Sequence, residues 1–175
     1  MIDDIILNEF LKESNAIEGV YTEKAQKDAY KAWKFLETYE ELSENRIREV
    51  HRLLMINLNK RIAGEFRKVN VRVGIHIMPQ PKTILSKLEN LIFYFIPKNE
   101  EEIKKWHVLF ENIHPFEDGN GRVGRILMNW HRIKNNLPIL TIHTGIEQFE
   151  YYDWFKESID ISSYFLNKNE QKNRC

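Results

Sequence analysis

Apolar residues fall at three- and four-residue steps along most of the chain, a spacing that helices turn into one continuous face. Ala25, Ala29, Trp33, Leu36 and Tyr39 form one such stripe, with Thr22 as its candidate cap. Ile47, Val50, Leu53, Leu54 and Leu58 form a second behind Ser43. Leu85, Leu88, Ile92 and Phe95 form a third between Thr83 and Pro97. Glu100, Glu101 and Glu102 suit a first helical turn, followed by Ile103, Trp106, Phe110 and Ile113. Further helices are expected from near Gly121 to before Pro138, and from about Gln148 to Ile159.

One segment, FRKVNVRVGIHIMPQP at 66–81, breaks the rhythm. Val69, Val71, Val73, Ile75 and Ile77 alternate with Lys68, Asn70, Arg72, Gly74 and His76, which is strand periodicity with Gly74 as a turn or bulge candidate. A lone hairpin in a helical chain is either a surface decoration or a flap whose edge pairs with a peptide. The expected fold is therefore all-α: a single domain over 1–175 with one β-hairpin flap and a polar tail at 160–175.

Charge narrows the functional classes. Lys+Arg and Asp+Glu balance at 26 each, so bulk charge favours neither nucleic acid nor an anionic membrane. Cys175, the one cysteine, allows no internal disulfide, which suits a reducing compartment. The opening MIDDIILNEF lacks a basic region before an apolar core, and the run LIFYFI is too short to span a bilayer. A soluble, cytoplasmic protein is expected, with homo-oligomerisation left open.

The twelve residues HPFEDGNGRVGR, 114–125, hold three of the chain's seven glycines beside a histidine, two acids and two arginines. Gly119, Gly121 and Gly124 spell a dinucleotide-binding pattern, but a helical stripe precedes them where that fold needs a strand. Pro115 disfavours the α conformation at His114, so the preceding helix should end there and free the histidine as a general base. Gly119, Asn120 and Gly121 provide backbone N–H groups that can converge on an anion, and a helix starting there adds its positive end. Arg122 and Arg125 share one helix face and suit phosphate oxygens. Asp118 is a lone carboxylate of the kind that holds Mg²⁺ together with substrate phosphates.

These residues resemble the signature of the Fic family, H-P-F-x-[D/E]-G-N-G-R-x-x-R, at all nine specified positions. The resemblance extends to GEFR at 64–67, to the hairpin after it and to ILMNW at 126–130. It implies a Fic-type helical domain that moves AMP from ATP to a Ser, Thr or Tyr hydroxyl of a target protein or of itself. By that likeness His114 is the base and Asp118 ligates Mg²⁺. Gly119, Asn120 and Gly121 form the anion hole, with Asn120 near the α-phosphate. Arg122 contacts nucleotide phosphates, and Arg125 the γ-phosphate. The flap at Ile75, His76 and Ile77 would hold the target backbone, and Tyr152 would stack on adenine. The family's branch that transfers the γ-phosphate carries lysine where this chain has Gly121. The family pattern also places an adenine-contacting asparagine where this chain has Ile159.

SNAIEG at 14–19 is similar to the family's inhibitory motif, [S/T]-x-x-x-E-[G/N]. Ser14 and Glu18 lie one turn apart on a helix expected over about 5–20, and Gly19 can end it. The resemblance implies that Glu18 pairs with Arg125 and blocks productive γ-phosphate placement. It also leaves open the reverse reaction, removal of AMP from a modified target, other nucleotide donors, and a non-catalytic binding module. His51, His107, His131 and His143 show no metal-ligand spacing and are expected to be structural or exposed.

Overall fold

The computed structural model describes residues 2–156. The helices run in the order α1 (Asp4–Ile17), α2 (Glu23–Leu36), α3 (Glu44–Met55), α4 (Ile84–Tyr94), α5 (Glu100–Ile113), α6 (Asn120–Lys134) and α7 (Ile146–Asp153). A two-stranded hairpin, β1 (Arg72–Val73) and β2 (His76–Ile77), lies between α3 and α4. Thr22 and Ser43 cap α2 and α3 by accepting from the Ala25 and Arg46 amides. Asp3 and Asn99 do the same for α1 and α5.

Helix α6 is the hub. Twelve of its fifteen residues are buried, so its polar side chains must find partners inside the protein. It packs against α1, α3 and α5, while α2 lies along α3. Trp33, Leu36, Ile47, Val50, Leu54, Trp106, Phe110, Ile113 and Phe116 fill the core between these helices. Burying side chains of this size is worth about 1.5–3 kcal/mol each and outweighs the weak local propensities.

The structure departs from the sequence pattern in four places. A 3₁₀ turn over Pro81–Thr83 shifts the phase of α4, so Ile84 is buried and Leu85 exposed. Helix α3 stops at Met55, which leaves Leu58 in a turn and exposed. The alternating segment forms only the two short strands, with Arg72 opposite Ile77 and Val73 opposite His76. That register puts Gly74, at φ +57°, and Ile75 in the turn rather than on a strand. The last helix covers Ile146–Asp153; Ile159 and the tail at 160–175 lie outside the described residues.

Candidate functional site

Residues 114–125 form a tight loop and the first turns of α6, and the loop is braced from inside. Asn120 accepts from the Phe116 amide at 2.9 Å and donates to the Phe116 carbonyl at 3.0 Å. Its side chain thus closes the loop, while its backbone belongs to the helix N-terminus. His51, on α3, accepts from the Gly64 amide at 2.9 Å through Nδ1. Its Nε2 must then carry the proton, which it donates to the Asp118 carbonyl at 3.0 Å. The ring also stacks on Phe116 at 3.8 Å.

The start of α6 has no side-chain cap, and Gly119 before it adopts φ +79°. The first intrahelical bond of its opening turn runs from the Val123 amide to the Gly119 carbonyl, so the amides of Asn120, Gly121 and Arg122 precede the ladder. Arg122 is 3% exposed, yet among the described residues its Nε and Nη1 have no hydrogen-bond partner. Its Nη2 reaches Met55 Sδ at 3.2 Å and stands 4.0 Å from Asp118 Oδ2. A buried guanidinium with two orphaned donors beside bare helix amides is a site shaped for an anion.

His114 ends α5 in the left-handed region, at φ 49° and ψ 62°. Proline after it excludes the right-handed continuation, as the sequence requires. Its Nδ1 lies 3.3 Å from the Glu111 carbonyl, which only accepts. The proton therefore resides on Nδ1, leaving a lone pair on Nε2. Burial holds the imidazole below its ordinary pKa. A neutral base with a free nitrogen is the state that proton abstraction needs.

Arg125 lies 2% exposed in the wall of the same site. Its Nε donates to Ser14 Oγ at 2.9 Å, and its Nη2 to the Ser14 carbonyl at 2.9 Å and to Glu18 Oε1 at 2.7 Å. Its Nη1 reaches Tyr151 Oη at 3.4 Å. Burial opposes the arginine's charge, but Tyr151 and Glu18 outweigh it and hold the proton more tightly than usual. Glu18 caps the end of α1, and Gly19 turns away at φ +69°. Gly121 makes the approach of Glu18 possible, because a Cβ there would collide with Glu18 Oε1. Gly124 likewise leaves room for the Glu111 carboxyl and the His107 ring.

A cavity of about 540 Å³ reaches part of this arrangement; Asp118, Gly119, Asn120 and Arg122 are not among the residues that line it. Glu18, His114, Gly121 and Arg125 line one side, with Tyr151 and Tyr152 on another. Val73, His76 and Met78 bring the flap to its rim. Ile75 and Ile77 do not line it and are 82% and 73% exposed. Among the described residues no three His, Cys, Asp or Glu side chains cluster as a metal site. No helix among them is long and apolar enough to cross a membrane.

The buried titratable groups set a pH dependence of stability. Burial holds His51, His107 and His131 to about 4, 3 and 3. The unfolded chain binds protons near 6.5 that the folded chain refuses, so stability drops as pH falls from about 6.5 toward 3. Each histidine contributes a loss of about 2 kcal/mol by pH 5. Glu111 has the opposite sign: burial raises its carboxyl to about 8, and stability is lost as pH rises from 4.5 through 8. Urea unfolding across pH 4–9 is therefore expected to show a maximum near neutrality. Glu111→Gln should flatten the alkaline side and steepen the rise between about pH 4.5 and 6.5, where the carboxyl opposes the histidines.

Several of these side chains carry little signal in the sequence. His51, His107 and Met55 look like ordinary members of helical stripes. Tyr151, beside the expected Tyr152, is the one buried against Arg125; Tyr152 is 45% exposed at the cavity. Arg67 is the least expected, a buried cation in GEFR whose partners are all backbone carbonyls.

Over residues 41–131 the chain matches a family model described as the Fic/DOC family. It is 32% identical over 114 residues to protein adenylyltransferase Fic of Culex quinquefasciatus, covering 62% of this chain and 23% of that protein. A probable protein adenylyltransferase of Aquifex aeolicus is 35% identical over 134 residues, covering 71% of this chain and 41% of that protein. The chain thus spans less than half the length of these curated relatives. A Fic domain containing signaling protein from Bacteroides thetaiotaomicron superposes with a TM-score of 0.73 at 21% identity, over 86% of this chain and 70% of that one. Fic-1 of C. elegans superposes with a TM-score of 0.67 at 18% identity, over 100% of this chain and 66% of that one. At these identities the structural likeness is one of fold.

Proposed function

The chain belongs to the Fic/DOC family, and on that premise we propose that it is an autoinhibited adenylyltransferase moving AMP from ATP to a protein hydroxyl. The observation that carries this reading is the pair of orphaned Arg122 donors beside the uncapped start of α6. They suit the oxygens of a polyphosphate, and His114 stands at the end of the neighbouring helix with Nε2 unprotonated. Names carried by the curated relatives support ATP as the donor.

In this mechanism His114 Nε2 takes the proton of the target hydroxyl as its oxygen bonds to the α-phosphorus. The bond from that phosphorus to the β-phosphate oxygen breaks, and pyrophosphate leaves. Asn120, Gly121 and Arg122 amides and the Arg122 guanidinium stabilise the charge that gathers on the phosphate oxygens. The Asp118 side chain is 66% exposed, so its carboxylate can meet a bound nucleotide from solvent. A single such carboxylate fits Mg²⁺ held mainly by the substrate's own phosphates, where the ion supplies charge neutralisation. Tyr152 and Tyr151 give the cavity an aromatic wall for the base. A cytoplasmic setting, where ATP is available and a lone thiol stays reduced, belongs to the same proposal.

Glu18 occupies the partner position on Arg125 that a γ-phosphate would take. Binding of ATP in a reactive pose then requires Glu18 to leave, which makes α1 an inhibitory helix. Incubation with Mg²⁺ and ATP labelled at either the α- or the γ-phosphate tests the reaction. Protein-bound α-label is expected; γ-label alone would replace AMP transfer with phosphate transfer.

The flap prediction follows from the register. Val73 and His76 form the pair next to the turn, and the Met78 amide donates to the Val71 carbonyl. Ile77 lies between these bonded pairs, so its own N–H faces outward, free for an added strand. Ile77→Pro should remove one such bond, worth about 1 kcal/mol or roughly fivefold in target KM. ATP affinity measured by calorimetry should be unchanged; an equal loss there would make the hairpin a structural element only.

A further inference from the structure

Arg67 is 2% exposed and faces no carboxylate among its hydrogen-bond partners, a costly state for a cation. Among the described residues it is satisfied entirely by main chain. Nε donates to the His114 carbonyl at 2.7 Å, and Nη2 to the Ile113 carbonyl at 3.4 Å. The backbone amide of Arg67 takes the next carbonyl, Pro115, at 3.0 Å. Three consecutive carbonyls at the end of α5 therefore depend on one residue. They need it: Pro115 has no N–H to continue the ladder, and His114 has turned into the left-handed region. Helix α5 has no basic residue in its own last turn, so the guanidinium also supplies the positive charge that a helix C-terminus favours.

The other side of the same guanidinium faces the flap. Nη1 donates to the Val69 carbonyl at 3.0 Å and Nη2 to the Pro79 carbonyl at 2.6 Å. These two residues bracket the hairpin, one before β1 and one after β2. A single planar fork thus holds the two ends of the flap and the backbone of His114 in one rigid unit.

We propose that Arg67 is a positioning residue that fixes the distance between the flap and His114, so that a hydroxyl presented by the flap arrives at the base. This rests on the reading of His114 as the base and of the hairpin as the target-holding edge. Lysine keeps the charge but has one nitrogen, which cannot reach carbonyls on both sides. Arg67 touches neither the α6 amides nor Arg122, so its role is separable from phosphate binding.

The test uses Arg67→Lys in the full chain, alone and combined with Glu18→Gly. In the released background kcat for transfer should fall on the order of 10- to 100-fold, with the KM for ATP unchanged within about twofold. Amide exchange over residues 70–78 should quicken and the His114 ring resonances should move; the unfolding midpoint should fall as well, because the carbonyls of Ile113, His114, Val69 and Pro79 lose their donor. A merely structural role would raise the KM for ATP and quicken exchange throughout the chain along with the loss of kcat, which would overturn the proposal. Unchanged flap exchange and unchanged His114 resonances would also overturn it. If Glu18→Gly alone transfers nothing, the proposed reaction fails, while exchange and resonances still decide the coupling. Should Arg67→Lys not fold, proteolytic cleavage of the native chain at the exposed Arg72 replaces it. Cleavage is then expected to shift the His114 resonances and speed exchange of the Arg67 Nε–H; a cut flap that leaves both unchanged contradicts the coupling.

Discussion

His114→Ala is expected to reduce AMP transfer about 10²–10⁴-fold while leaving ATP affinity close to that of the wild type. The separation of the two effects comes from where the donors lie. Phosphate oxygens would be held by amides of α6 and by Arg122, and none of these groups bonds to the histidine ring. The ring's hydrogen bond from Nδ1 to the Glu111 carbonyl orients it and fixes its tautomer. Alanine removes the lone pair without opening the loop, because Asn120 and His51 brace Phe116 and Asp118 independently. His114 already occupies the left-handed region, so alanine inherits a strain of about 1–2 kcal/mol that the native chain bears too, and the fold is kept. Label incorporation and calorimetry on the same preparation measure both quantities. Near wild-type transfer by the variant would remove His114 from the mechanism.

Glu18→Gly is expected to raise transfer, or self-modification when no target is present, by at least about tenfold, equivalent to ~1.4 kcal/mol. Removing one member of a buried ion pair usually leaves the other stranded at a cost of about 3–5 kcal/mol. Here that figure is an upper bound. The Glu18 side chain is 36% exposed, and Arg125 keeps both bonds to Ser14 and its contact with Tyr151. The arginine is therefore still aimed into the cavity after the carboxylate has gone, with a γ-phosphate as its next partner. Glu18→Asp should give a smaller gain. The double variant Glu18→Gly with Arg125→Ala should fall back, since the group that benefits from release is missing. A substitution at Gly121 would act on the same contact from the other side, because any Cβ there pushes against Glu18 Oε1.

The parts of this site that were legible in the sequence share one property: their chemistry depends on neighbours along the chain. Pro115 restricts His114 directly, and the glycines and arginines of 119–125 lie within one loop and two helical turns. The capping roles of Thr22 and Ser43 are likewise local. The hairpin shows where local reasoning fails. Its alternation is real, but among the described residues no second sheet covers it; pairing stops after two residues on each side and Ile75 falls in the turn. Helix phase was lost wherever a short turn intervened, as at Ile84 and Leu85.

The long-range contacts left no comparable trace. Arg67 reads as one more surface cation until the carbonyls of Ile113, His114, Val69 and Pro79 are seen to converge on it. His51 lies on a helical stripe whose spacing predicts core, and it is core, but its two nitrogens also tie Gly64 to Asp118. The role of Gly121 was read from its freedom near an anion. In the folded chain its lack of a side chain matters as much for admitting Glu18.

The central claim is that a site for AMP transfer exists and that Glu18 holds it off. The rate at which α-labelled ATP labels protein, compared between the wild type and Glu18→Gly in the presence of Mg²⁺, tests both halves together. A rate at least about tenfold higher is expected in Glu18→Gly, abolished when His114→Ala is added to it. Equal rates in the wild type and Glu18→Gly, or label that survives the loss of His114, would contradict that claim.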